Sequence, residues 1–121
     1  MKYKGRRNKM KVIDYHKVPL EDMEMEGAKN VKMRWLISDK DNAKNFAMRL
    51  FEIGEGGFTP YHTHDWEHEV FVLEGEGEVK IEGKIHHIKK DSVVLVDPGI
   101  IHGFRNTGKD MLKFLCLIPY K

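Results

Sequence analysis

Short segments between closely spaced glycine turns dominate this chain and leave little room for anything but strands. Val31, Met33, Trp35 and Ile37 alternate with Lys32 and Arg34, a period of two that marks a half-buried strand. Further strands are predicted over 46–53, 67–73, 78–82, 84–88, 92–96, 102–106 and 111–118. The breaks fall at 54–57, 74–77, Gly83, 89–91, 97–99 and 107–109, all turn-forming sequence. Gly54-Glu55-Gly56-Gly57 is expected to end its strand, because glycine weakens a strand interior. Val12-Ile13-Asp14-Tyr15 reads as a short opening strand, Pro19 to Gly27 as a loop and Ser38 to Asn45 as a polar turn. Many short strands at regular spacing predict an all-β barrel or sandwich.

At 121 residues the chain is one domain with a single core. That domain is expected over residues 11–121. Residues 1–10, with Lys2, Lys4, Arg6, Arg7 and Lys9, read as a basic, mobile tail. A formal net charge of +2 gives no global field for nucleic acid, and none is expected as a partner. No apolar run reaches membrane-span length, and no hydrophobic region follows the basic start as in a signal peptide. Cys116 is the only cysteine, which excludes an intrachain disulfide and points to the cytoplasm. Phe71, Leu73, Leu115 and Leu117 make two strands apolar on both faces. The second face needs a cover, either the N-terminal strands or a second subunit.

The chemistry concentrates in His62-Thr63-His64, His68 and His102. On a strand, side chains alternate faces, so His62 and His64 share one, and His68 has the same parity. His102 can arrive from another strand. Four neutral nitrogen donors around one divalent ion suit Mn, Fe, Ni, Cu or Zn.

The wording around these histidines resembles the cupins, small barrels with two signature motifs. Gly56, five residues, His62-Thr63-His64, three residues, His68, six residues and Gly75 follow the first motif, with His68 where the family usually has Glu. Glu69 would leave only five residues before Gly75, and it faces away from His68 on a strand, so spacing favours His68. The second motif is matched at Gly99, His102 and Asn106, while Asp91 stands for its first glycine and Asp97 for its proline. Both replacements fall at turns, where Asp is tolerated. The resemblance, over about residues 45 to 118, implies an all-β, single-domain cupin barrel of jelly-roll-like form. It implies one divalent transition metal per chain on His62, His64, His68 and His102. Cupins commonly pair through apolar sheet faces, so a homodimer is expected.

Neutral imidazole in place of a carboxylate leaves the ion its full charge, which raises Lewis acidity and favours anionic oxygen ligands. Mn or Fe fits such a barrel site best, with Ni, Cu or Zn as alternatives. Phe104, Phe114 and Cys116 are expected to face inward and line the pocket for a small-molecule substrate. Arg49 and Arg105 could pair with an anionic substrate, yet read first as exposed salt-bridge residues, and His86 and His87 read as surface. With no pocket carboxylate in view, the expected function is a metal-dependent oxidoreductase of the dioxygenase kind. A non-catalytic metal- and ligand-binding cupin is the alternative, with an isomerase or decarboxylase after it.

Overall fold

The computed structural model describes residues 10–120. The basic stretch read as a tail lies, apart from Met10, outside the described residues. Nine strands follow in chain order: β1 Glu21–Asp22, β2 Lys29–Ile37, β3 Phe46–Phe58, β4 His68–Glu74, β5 Glu76–Ile81, β6 Lys84–Lys89, β7 Val93–Val96, β8 His102–Asn106 and β9 Leu112–Pro119. Two single 3-10 turns, Tyr15–Lys17 and Asp39–Asp41, are the only helical pieces among the described residues. The strands form one antiparallel sheet in the order β6-β5-β8-β3-β9-β4-β7, with β2 on β3 and β1 on β2. The fold is all-β, as expected, and the sheet curls into a barrel around one core.

Curvature comes from β3. It pairs with β9 from Phe46↔Pro119 to Ile53↔Leu112, then meets β8 at Phe58↔Arg105. The glycine run expected to end this strand lies inside it. Opposite, the β2 register shifts between Lys29 and Val31, and Gly56 takes φ +75, a bulge conformation open to glycine. A Cβ at Gly57 would meet the Lys29 carbonyl oxygen at 2.6 Å. Glycine here lets one strand bend and approach its neighbour closely, so it prolongs the strand. Gly77 does the same in β5, where a Cβ would collide with the Arg105 carbonyl oxygen on β8.

The N-terminal prediction fails for a local reason. Val12 is 96% exposed and pairs with nothing regular. The Asp14 carboxylate instead accepts the backbone N–H of His16 at 2.8 Å and opens the first 3-10 turn. Such short side-chain-to-backbone bonds compete with strand pairing. Inside the expected loop, Glu21 and Asp22 pair with Met33 and Lys32.

Register explains the core. Met33, Phe51, Phe114 and Val72 stand opposite one another across β2, β3, β9 and β4. The next inward row is Trp35, Arg49, Cys116, Val70 and Val94. Phe51 and Phe114 stack at 5.2 Å, and Phe104 reaches Phe114 from β8 at 4.7 Å. Each buried aromatic of this group contributes about 1.5–3 kcal/mol of apolar burial.

Outside, Arg34, Leu50, Leu115, Phe71 and Val93 form a row. At one end Arg34 donates to the carbonyls of Tyr15, His16 and Val18 and pairs with Glu52 at 3.3 Å. That pins the N-terminal segment, and Leu50 is fully buried. The cover stops there. Leu73, Leu115 and Leu117 are half-buried, Phe71 is 39% exposed and Val93 74%.

Candidate metal centre

Four imidazoles converge at one end of the barrel. His62 follows β3 and forms an isolated antiparallel bridge with His102. The two residues exchange both backbone hydrogen bonds at 3.0 Å, which puts their side chains on one side of the sheet. His64 comes two residues on, and its carbonyl accepts the Gly99 N–H at 2.7 Å. Gly99, at φ +80, makes the turn that presents His102, and Asp91 takes the left-handed φ of +78 in the position of the motif's glycine. His68 opens β4 opposite Val96.

Ring centroids lie 4.2 Å apart for His62 and His64, 4.4 Å for His64 and His68, and 5.0 Å for His68 and His102. His62, His64 and His102 each offer a ring nitrogen within 4.8 Å of the others. His68 adjoins this trio, its Nε2 at 2.9 Å from His64 Nδ1. His102 Nδ1 donates to the Ile100 carbonyl at 2.9 Å, so its Nε2 keeps a free lone pair. Glu69, the rival to His68, is exposed and sits on the opposite face of β4.

Burial disfavours the charged form of His62, His64 and His68. It pushes His64 down to about 4, helped by the charges of His62, His102 and Arg49. His68 is pushed down to about 3, again by burial first. His62 is lowered by burial and then by His102. A neutral imidazole is the form that ligates a metal. The trio's spacing, the neutral donors and the orienting Ile100 bond all fit a single divalent ion.

Behind the cluster lies a cavity of about 70 Å³, lined by the histidines and by Phe104, Phe114 and Cys116, the three expected pocket residues. At about 30 Å³ per water in the liquid, it takes only a few water-sized groups. Among the described residues no carboxylate lines it. Met23 and Met25 enter it from the loop before β2, and Trp66 stacks on His64 at 4.8 Å while staying partly exposed. Arg49 corrects the exposed salt-bridge reading: it is 9% exposed and lines the cavity. Its parity with Phe51 and Ile53 on β3 carried the signal for an inward side chain. Arg49 Nη2 donates to Cys116 Sγ at 3.0 Å, and His68 Nδ1 lies 3.2 Å from the same sulfur. Burial pushes the Cys116 thiol up, so it stays uncharged. Arg105 is exposed over the Phe58 ring but forms no salt bridge among the described residues, and His86 and His87 are surface residues, as expected.

Residues 49–118 match the Cupin domain family. The chain is a cupin. An oxalate-binding protein from Thermotoga maritima is 37% identical over 99 residues, 78% of this chain and 80% of that protein. A polyketide cyclase from Streptomyces resistomycificus superposes with a TM-score of 0.87 at 32% identity, over 93% of this chain and 80% of the other. A predicted oxalate decarboxylase from Thermotoga maritima gives 0.81 at 30% identity, over 90% and 98%. Relatives of this cupin thus carry different chemistries on one barrel, which leaves function to be argued from the site. Among the described residues no helix is long and apolar enough to cross a membrane.

Proposed function

We propose that this cupin holds one divalent transition metal on His62, His64, His68 and His102 and uses it on a small organic substrate as an oxidoreductase of the dioxygenase kind. The observation that carries the reading is the set of three mutually close ring nitrogens of His62, His64 and His102 lining a cavity with no carboxylate among the described residues. His68 completes the set by giving up its hydrogen bond to His64. When bound, the ion supplies Lewis acidity and, as Mn or Fe, redox chemistry. The chain's part is to disfavour protonation of His62, His64 and His68 by burial, to orient His102 through Ile100, and to dry the site with Phe51, Phe104 and Phe114. No lining carboxylate is placed to shuttle a proton, which weighs against an isomerase.

Non-catalytic ligand binding is the second reading, favoured by the oxalate-binding relative and the small cavity. Oxygen uptake by Mn- and Fe-loaded protein across diketones, phenols, thiols and oxalate separates the two. Uptake that needs the metal supports turnover. Metal-dependent oxalate binding without uptake or carbon dioxide release supports the binding module, and carbon dioxide release without uptake supports a decarboxylase.

We also place the protein in the cytoplasm, on the strength of its single, buried, free cysteine. We further propose a homodimer through the outer face of β4, β7 and β9. Phe71, Val93 and Leu95 are exposed there beside Leu115 and Leu117, and a second copy of the chain would bury them.

A further inference from the structure

Among the described residues Arg49 is the one permanently charged side chain lining the cavity beside the histidines. It sits on the inward face of β3, between Trp35 on β2 and Cys116 on β9. Its guanidinium carbon lies 4.9 Å from the Phe51 ring centre and 5.6 Å from that of Trp35. Nη2 reaches only the Cys116 sulfur, a weak acceptor, and Nε is buried without any partner. Among the described residues no carboxylate pairs with Arg49. Burying a guanidinium this way is costly unless something pairs with it. A divalent ion on neutral histidines would add two more positive charges beside it, with no negative lining group to offset them.

An anion resolves this imbalance. We infer that Arg49 is the specificity-determining residue of the site and that the ligand is a small carboxylate. Guanidinium presents N–H donors in a planar fork that matches a carboxylate's two oxygens, and the Trp35 and Phe51 rings within reach of it restrict its movement. Trp35 and Phe51 thus hold the fork, and the cavity volume limits the ligand to a few heavy atoms. Arg49 and the four histidines line the same pocket, so the site selects ligands acidic at one end at least. The inference rests on the metal reading above and names its substrate class.

Oxalate, oxamate and oxamide test it, because they share size and shape while losing one carboxylate at each step. Their binding to Mn-loaded protein is measured by calorimetry, with metal content measured before and after. Wild type should bind oxalate more tightly than oxamate, and oxamide weakest of all. Arg49→Gln should weaken oxalate binding about ten- to a hundredfold with the metal retained, and flatten the series. Arg49→Lys, which keeps the charge without the fork, should fall between and supports the inference even where the Gln variant folds poorly. Oxamide bound as tightly as oxalate by wild type, or unchanged oxalate affinity in a folded Arg49→Gln, would overturn it. A wild type that takes up no metal instead sinks the metal reading. Arg49 is then judged on the metal-free protein, where the same ordering and the same loss are expected in weaker form.

Discussion

His102 shows how one residue can be legible in the sequence while its neighbour is not. The histidine spacing placed His62, His64, His68 and His102 together, and their rings do converge. A lone arginine in a strand is usually solvated, which outweighs the inward parity that Arg49 shares with Phe51 and Ile53; the register with Cys116 decides for the interior. At this scale two predictions follow from the geometry. Phe104 packs on Phe114 at 4.7 Å, so Phe104→Ala should cost about 3–5 kcal/mol. Phe104→Leu should cost much less and retain the metal while altering which ligands fit, as thermal unfolding, metal analysis and calorimetry would show. The second concerns pH. His64 and His68 bind protons far less readily in the folded chain than in the unfolded one, where imidazole titrates near 6.5. The unfolded state therefore takes up protons first as pH falls, so stability is present above about 6.5 and is lost towards 4. The melting temperature of metal-free protein should drop by roughly 5 °C across that range, and His68→Asn should reduce the drop. An equal drop in the variant would assign the effect to other groups.

At the scale of elements, alternation and glycine turns located β2 and β4 to β9 within a few residues, and β8 at both ends. What they missed is instructive. Gly54 to Gly57 looked like a terminator because glycine disfavours strands in isolation, yet close approach to Lys29 and Asn30 requires glycine there. Local sequence cannot reveal a neighbour that lies well over twenty residues away. The lost strand at Val12 to Tyr15 has the opposite cause, a bond from Asp14 two residues along the chain. Gly57→Ala should accordingly destabilise the barrel by about 1–3 kcal/mol, since the Lys29 carbonyl must move. Gly83→Ala meets nothing within 4 Å and should cost only the strain of its φ of +81, about 1 kcal/mol. Equal losses in denaturant unfolding would show that β3 and β2 are less tightly apposed than their register requires.

For the whole molecule, a curled sheet has two faces but one interior. The inner face closes over Phe51, Phe104 and Phe114, and the outer face is covered only where Arg34 holds the N-terminal segment. Leu95 stands 59% exposed in the uncovered part, so Leu95→Lys should shift the particle mass in light scattering to the 14.2 kDa of one chain without unfolding it. A wild type already of that mass would remove the dimer. The barrel itself needs no ion, since its core lies in packed side chains. His62→Ala and His102→Ala should therefore leave far-ultraviolet circular dichroism unchanged while emptying the site. That separation makes metal content per chain, measured by elemental analysis after reconstitution and exhaustive dialysis, the most direct measurement of the central claim. Wild type should retain close to one divalent ion per chain and each histidine variant almost none. A clearly substoichiometric wild type, or a His62→Ala/His102→Ala double variant that holds as much metal as wild type, would contradict it.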